Sequence, residues 1–433
     1  MVTSSELTEL KAVPGSNELS APVLVSPRPS TSKPDGGSLA WLQVFCSSLL
    51  FFNTFGLANT FGIYQKYYES GQLFVASSSQ ISWIGSLQAF LILLVGTLTG
   101  PAFDGGHLRI LLIAGMFGVG FGHMMLSICY DYWQVLLAQG VVVGLGAGCL
   151  HVPSLAILPG YFSKRLGLAV GIAVFGSSVG GVISPIAFEK MIHEVGFGWS
   201  VRVLGFIAIA LLLVPILCMR MRETPTQKRA LFDYSVCRDN SFIIFVVACV
   251  VGYCGLYVPV FYLAFFGQSS GMLTSRMASY LVPIFNASSV PGRLIPGYFA
   301  DKTAPLNLMA PCSVILGILV ASLIAVNHSV ALLVVTVLTG VFSGVYLSLP
   351  SVVVAQITKD KSRIGTRIGI LFASVGLGVL AGGPGAGAIL GRQPSHREWM
   401  GTWTYSCVCI FTSGILLAVL NFRLRAKAPK LVT

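Results

Sequence analysis

The chain has 433 residues, of which 55% are hydrophobic and only 10% are charged, and its formal net charge is +12. Soluble proteins carry about 25% charged residues, so this composition excludes a cytosolic enzyme, a disulfide-rich secreted scaffold and a disordered chain. The basic residues lie at the ends of apolar runs, which indicates a membrane protein rather than a nucleic-acid-binding one. The ten cysteines include no CxxC pair, so we predict small buried hydrophobic residues and neither metal ligands nor disulfides.

Along the chain, long apolar runs alternate with short charged segments. Residues 1–34 are polar and rich in Ser and Pro, without a stretch typical of a signal peptide, and we predict a disordered cytoplasmic tail. The apolar runs that follow are long enough for twelve crossings at about 20 residues each. The run 303–358 accounts for two of these crossings, with its turn at Asn327 and His328. The predicted fold class is an all-α membrane protein, because only helices satisfy the backbone internally at these lengths.

A repeated motif divides the twelve predicted helices into two pseudo-repeated six-helix halves. The motif GxxxD follows span 2 at Gly100–Asp104 and span 8 at Gly297–Asp301. The longest predicted inner connection lies between spans 6 and 7 and separates the two halves. The predicted boundaries are 35–221 for the N-terminal half, 222–240 for a cytoplasmic linker, 241–422 for the C-terminal half and 423–433 for a cytoplasmic tail.

The distribution of Lys and Arg predicts the orientation. Of the 27 basic residues, one lies within a span, six lie in predicted outside loops and the other 20 lie on the opposite side. The six are Lys66, Lys190, Arg202, Arg276, Arg392 and Arg397. Since cytoplasmic loops carry the excess of Lys and Arg, we predict a multi-pass protein of the plasma membrane with both termini in the cytoplasm.

Arg293 is the one formal charge inside a predicted span. It lies eight residues before Asp301, or about 12 Å into the membrane at 1.5 Å per residue. Such a residue stays cationic and costs at least about 2.5–3.5 kcal/mol to insert. It either binds an anionic substrate through its planar fork or reaches the inner interface and helix carbonyls without a role in transport. Asn286 and Ser289 lie on the same helix face and are candidates for the same cavity.

Other polar residues within apolar runs are further candidates for substrate binding, with ordinary packing as the alternative for each. They are Asn59 in span 1, His151 in span 4, and the i, i+4 pair Tyr253 and Tyr257 in span 7, which with Phe261 would form an aromatic wall. Asp104 and Asp301, with the nearby basic residues Arg109, Lys164 and Arg165, are candidates for gating at the inner helix ends. Glycines repeat every four residues at Gly140, Gly144 and Gly148, at Gly176 and Gly180, at Gly378 and Gly382, and at Gly383 and Gly387, which favours close helix contacts.

Catalytic and cofactor motifs are missing from the sequence. There is no HExxH, GxSxG or P-loop motif, and every Asp and Glu lies in the tail, in a loop or near a predicted helix end. We therefore expect that the protein is not an enzyme and has no cofactor.

Two long motifs resemble signatures of a transporter family. Asp35-Gly36-Gly37-Ser38-Leu39-Ala40-Trp41 opens span 1, and Tyr161-Phe162-Ser163-Lys164-Arg165-Leu166-Gly167-Leu168-Ala169-Val170-Gly171-Ile172-Ala173 leads into span 5. They are similar to signatures of the fungal monocarboxylate-transporter-like branch of the major facilitator superfamily, and the resemblance covers nearly the whole chain after residue 34. It implies that Arg293 engages a substrate carboxylate. Ser289 stands where animal lactate carriers have Asp, and Ala58 or Asn59 stands where they have Lys.

The resemblance and the residues together lead to an expected function. We expect a secondary active or facilitative transporter that works by alternating access on a small organic carboxylate or a fungal metabolite. Export of a secondary metabolite and coupling to a proton are left open, and the expected partners are an anionic small molecule and the lipid bilayer, not nucleic acid. The alternatives are a non-transporting membrane sensor of the same fold and a membrane-embedded enzyme, which the missing catalytic carboxylates disfavour.

Overall fold

The structure is a computed structural model that describes most of the chain after the N-terminal tail. The described residues are 36–163, 165–222, 236, 238–300, 304–358, 360, 363–391 and 394–427, and the side chains of 296–300 and 427 are not described. These residues form helices and no strands. The all-α prediction is therefore confirmed.

The helices follow one another with short connections. They are α1 (Ser38–Phe51), α2 (Leu57–Asn59), α3 (Phe61–Glu69), α4 (Ser78–Asp104), α5 (Leu108–Leu126), α6 (Tyr132–Val135), α7 (Gly144–Ala156), α8 (Leu166–Cys218), α9 (Asn240–Ser269), α10 (Ser275–Ser279), α11 (Leu281–Ala300), α12 (Pro305–Ser322), α13 (Ser329–Ser348), α14 (Pro350–Ile357), α15 (Ile364–Leu390) and α16 (His396–Lys427). A π-helical segment, Phe52–Gly56, joins α1 to α2, and another, Leu136–Val143, joins α6 to α7. A π-helical turn changes which side chains face the neighbouring helix, and such turns are common at functional sites.

Ten helical segments of the described chain are long and apolar enough to cross a membrane. One of them, Leu166–Cys218, has 53 residues, more than twice the length that a crossing needs. Gly196 interrupts it with a φ of 76°, a conformation that glycine adopts without a steric penalty. The break divides α8 into two crossings, and the 20-residue α11, which is not among the ten, supplies another. Twelve crossings remain our interpretation of these segments.

The ends of several helices differ from the sequence-based prediction. The predicted loop between spans 5 and 6, which contains Glu189 and Arg202, is helical apart from Gly196. Span 1 likewise continues through Lys66 to Glu69. Charged residues ended the predicted spans, but a helix can extend beyond the hydrocarbon layer and keep its charges at the interface or paired within the protein. The predicted turn at Asn327 and His328 is confirmed, since α12 ends at Ser322 and α13 begins at Ser329.

Helix packing joins the two predicted halves along two long contacts. α4 packs against α15, and the first part of α8 packs against α11. The glycine repeats lie at such close contacts, as predicted: a methyl group at Gly176 would meet the backbone of Ser48, and one at Gly180 would meet Gly56. Gly378 lies in the same way against the backbone of Val250 in α9. These small faces allow backbones to approach where larger side chains would separate the helices.

Candidate substrate-binding site

Arg293 lies on α11 and faces α8. Its Nη1 donates a hydrogen bond to the Ser177 hydroxyl, which belongs to the predicted N-terminal half. Its Nε atom is buried and has no hydrogen-bond partner within the described part of the chain. No described carboxylate forms an ion pair with the guanidinium. The side chain is therefore a cation with an unsatisfied donor, held where the two halves meet.

Asn286 and Ser289 share the helix face of Arg293, as the sequence predicts, and both are buried. The Asn286 amide donates to Val282 O at 3.0 Å and lies against Gly181 of α8. The Ser289 hydroxyl donates to Asn286 O at 2.7 Å and lies 3.4 Å from Ser178 Oγ. The structure thus brings these residues together with Arg293 along the α8–α11 contact.

Tyr253 and Tyr257 form an aromatic wall on α9, beside Arg293. Their rings stack with centroids 6.3 Å apart, and Tyr257 makes an edge contact of 5.6 Å with Phe261. Both phenols lie within electrostatic range of the guanidinium. Neither hydroxyl hydrogen-bonds to another residue in the described chain, whereas the neighbouring Tyr346 hydroxyl is 2.6 Å from Ser413 Oγ. Two hydroxyls without a hydrogen-bond partner in the described chain therefore lie within electrostatic range of the guanidinium.

His151 lies among aromatic rings. Its ring centroid is 5.2 Å from that of Phe55, 6.4 Å from that of Phe51 and 6.0 Å from that of Phe372, which belongs to the other predicted half. Its Nδ1 is buried and unpartnered among the described residues. Asn59 is buried at the end of α2, and no contact of the described chain brings it to Arg293.

The predicted gating residues lie at one end of the helices. Asp104 is the last residue of α4 and is buried. Arg109 is exposed in the first turn of α5 and lines a shallow surface recess with Met219 and Arg220. Arg165 is exposed directly before α8. The other two gating candidates, Asp301 and Lys164, lie outside the described residues.

The opposite helix ends carry a polar cluster that the sequence-based prediction missed. Lys66 Nζ lies 3.6 Å from Glu189 Oε1 and donates to Ser275 O at 2.6 Å and to the Ser279 hydroxyl. Glu69 accepts a hydrogen bond from Gln65 Nε2 at 2.8 Å. The sequence-based prediction ends span 1 before Lys66 and puts Glu189 near the outer end of span 5, because charged residues end the apolar runs. The spacing of Gln65 and Glu69, four residues apart, was the one signal that the helix continues past its first charge.

Comparisons with known proteins match nearly the whole described chain. The model of the Major Facilitator Superfamily matches residues 40–329 and 274–433. The chain is 51% identical over 385 residues to the MFS-type transporter dbaD of Emericella nidulans, covering 89% of this chain and 86% of that protein. It is 37% identical to the aspyridones efflux protein apdF of the same fungus (88% and 78% covered) and 38% identical to the MFS transporter asaE of Aspergillus flavus (82% and 81% covered).

A solved structure shows the same fold. The nucleoside transporter NupG, crystallised as a point mutant, superimposes with a TM-score of 0.69 at 14% identity, covering 88% of this chain and 99% of that one. At that identity the likeness concerns the fold alone. The family match and the fungal relatives agree with the apolar helices. This chain belongs to the major facilitator superfamily and is a multi-pass membrane transporter of a small molecule.

Proposed function

We propose that this transporter exports a small organic anion, a carboxylate-bearing fungal metabolite, by alternating access. Arg293 is the residue that binds the anion. The observation that carries the proposal is the buried Nε of Arg293, which has no hydrogen-bond partner among the described residues, in a half-buried guanidinium within electrostatic range of Tyr253 and Tyr257. A buried donor without a partner costs about 1–3 kcal/mol, and more when it is charged. A substrate carboxylate would remove this cost, since it can accept two parallel hydrogen bonds from the guanidinium.

The aromatic wall suggests the rest of the cargo. Tyr253 and Tyr257 present ring faces and edges next to the charge, a surface that suits a flat or ring-bearing molecule. Asn286 and Ser289 then position the α11 backbone against α8, and Arg293 is the contact with the substrate. His151, among the rings of Phe51, Phe55 and Phe372, and Asn59 would contact the cargo only at another stage of its passage, since neither lies beside Arg293.

The proposed transport cycle uses the two halves as rigid bodies. The N-terminal half (35–221) and the C-terminal half (241–422), joined by the linker 222–240, rock about the α4–α15 and α8–α11 contacts. Asp104 and Asp301, with the nearby basic residues Arg109, Lys164 and Arg165, hold the inner helix ends in one state. The excess of basic residues on this side favours cytoplasmic termini, and the plasma membrane is the proposed location.

The direction and the branch are also part of the proposal. The relative named as an aspyridones efflux protein favours export of a secondary metabolite. The motifs around Ala40 and Tyr161 favour the monocarboxylate-porter-like branch. Ser289 stands in place of the Asp of lactate carriers, so any coupled proton binds elsewhere in the molecule.

Transport in proteoliposomes tests the proposal. Purified full-length protein is reconstituted into vesicles, and protein-free vesicles serve as the control. Both are supplied with a mixture of aromatic and aliphatic carboxylates or with the methyl esters of these acids. Mass spectrometry of the vesicle contents then measures the influx of each compound. The expected result is protein-dependent, saturable influx of at least one carboxylate and none of its ester, because the ester keeps the shape and loses the charge. Equal protein-dependent influx of an acid and its ester would contradict recognition by Arg293.

A further inference from the structure

The Ser78 hydroxyl contacts both halves at the end of the helices opposite the gating residues. Ser78 is the first residue of α4 and is fully buried. Its Oγ lies 2.9 Å from Glu69 Oε2, at the end of α3, and 2.8 Å from the carbonyl oxygen of Gly391, directly after α15. The first contact lies within the predicted N-terminal half and the second crosses to the C-terminal half. On the proposed orientation this is the outer side, and we call Glu69, Ser78 and Gly391 the outer latch.

When Glu69 is ionised, the outer latch has one hydrogen-bond donor for two acceptors. A hydroxyl donates one hydrogen bond, whereas a carboxylate oxygen and a carbonyl oxygen both only accept. If Glu69 is ionised, Ser78 donates to the carboxylate and the Gly391 carbonyl loses its partner. If Glu69 is protonated on Oε2, it donates to Ser78 Oγ, and Ser78 donates to Gly391. Gln65 Nε2 donates to Oε1 in both cases. The arrangement in the structure is fully satisfied only with a proton on Glu69.

The charged groups around the latch do not neutralise Glu69. Lys66, one turn earlier on α3, is matched by Glu189 of α8, which also contacts His193 at 3.5 Å. Glu69 forms no ion pair with any described residue. Glu398 of α16 lies beside Gly391, and one of its oxygens accepts a hydrogen bond from Ser395 N at 2.6 Å. Tyr262 of α9 donates to the Ser78 carbonyl at 3.1 Å. Arg392 lies outside the described residues.

We propose that Glu69 is a proton-binding site, filled from the outside medium, that closes the outer side of the transporter. The proton binds more tightly to the closed state because only that state offers the chain from Glu69 through Ser78 to Gly391, and by linkage the bound proton favours closure. Loss of the proton releases the Gly391 carbonyl and weakens the contact between the halves. The inference rests on the proposed function for its outer side and for the rocking of the halves.

A neighbouring contact provides a matched control. Ser79 Oγ donates to Pro384 O, also across the two halves, at 2.9 Å. This hydroxyl has one acceptor on α15 and no carboxylate. Loss of the Ser79 hydroxyl should therefore weaken closure at every pH without changing how closure responds to pH.

The test measures the separation of the halves in the full-length protein in lipid nanodiscs, without substrate. Spin labels are attached at Gln72→Cys and Ser395→Cys, two exposed positions on either side of the latch, and signal from the parent protein's own cysteines is subtracted. Distances are recorded by pulsed electron resonance from about pH 4.5 to about pH 8.5, a range that spans the titration of carboxyl groups in different environments. The expected result is a longer distance at high pH in the otherwise unchanged protein.

Single-residue variants test whether Glu69 causes the change in distance with pH. Glu69→Gln, whose amide can donate to Ser78 at every pH, should stay at the short distance throughout. Ser78→Ala leaves Glu69 in place, breaks the chain and should lose the pH response, which keeps the test valid if Glu69→Gln folds poorly. Ser79→Ala, Glu189→Gln and Glu398→Gln should keep the response. Three results would overturn the proposal. The parent protein could show no response to pH, Glu69→Gln could respond like its parent, or the response could be lost in Glu189→Gln or Glu398→Gln instead.

The outcome is separate from that of the proposed substrate. No substrate is added in this experiment, so the expected change in distance can be observed even if the cargo proves to be neutral. Conversely, selectivity for a carboxylate over its ester can stand if the latch fails.

Discussion

At the residue scale, Arg293 could be found from the sequence because a charge inside an apolar run is costly and conspicuous. The residues that surround Arg293 could not be found from the sequence. Nothing in the sequence pairs its guanidinium with Ser177, 116 residues earlier in the chain, or brings Tyr253 and Tyr257 within its electrostatic range. Those contacts depend on how α8, α9 and α11 pack, and spacing along one helix predicts only which residues share a face.

The helices extend past the charged residues that end the apolar runs of the sequence. Lys66 and Glu69 follow the first apolar run and Glu189 stands near the predicted outer end of span 5, yet all three lie on helices, and Lys66 pairs with Glu189. A charge can enter a protein interior when a partner on another helix compensates it, and the sequence does not reveal the partner.

Removing single tyrosine hydroxyls should distinguish a role in substrate binding from a role in the stability of the protein. Tyr257→Phe and Tyr253→Phe should each raise the half-saturating concentration of the transported carboxylate about tenfold, because a hydrogen bond to a charged group contributes about 1.5–3 kcal/mol. The melting temperature should not fall, since neither hydroxyl has a partner among the described residues. Tyr346→Phe is the control, because its hydroxyl lies 2.6 Å from Ser413 Oγ. It should lower the melting temperature and leave half-saturation unchanged. An unaltered half-saturation in both Tyr257→Phe and Tyr253→Phe would remove the phenols from the site.

At the scale of the helices, the sequence predicted the apolar segments better than their ends. Runs without charge located nearly every crossing, because hydrocarbon imposes a length and a composition. The π-helical segments at Phe52–Gly56 and Leu136–Val143 had no signal, since their residues suit an ordinary helix equally well. The break at Gly196 is one glycine among 48 in the chain, and its positive φ follows from the packing of the two parts of α8.

The contact between α1 and α8 should depend on one small residue. In Gly176→Ala the new methyl group would meet the Ser48 backbone, which cannot rotate away as a side chain can. The expected loss is about 1–3 kcal/mol of stability, as for other overpacked positions. Gly167→Ala on the same helix is the matched control, because nothing lies within 4 Å of its new methyl group. Melting temperatures of the detergent-purified variants measure the difference, and equal values for the two would show that the helices are not in such close contact.

At the scale of the whole molecule, the duplicated GxxxD motif predicted two halves, and contacts between α4 and α15 and between α8 and α11 join the segments assigned to them. The sequence could not indicate that the residues joining the halves are themselves polar and functional. Arg293 with Ser177 links them in the middle, and Ser78 with Gly391 links them at the proposed outer side. A substrate or a proton that changes either link would change the relation between the halves, which is what alternating access requires.

Saturable flux through Arg293 variants tests the central claim most directly. Proteoliposomes with equal amounts of reconstituted protein are supplied with the carboxylate that shows the largest protein-dependent influx. Arg293→Ala should abolish saturable flux, because the anion loses its counter-charge, while membrane insertion is kept or improved by about 2.5–3.5 kcal/mol. Arg293→Lys should be partly active, since it keeps the charge but loses the planar fork. Normal flux in Arg293→Ala would contradict the account and favour a neutral cargo held by the tyrosines of α9.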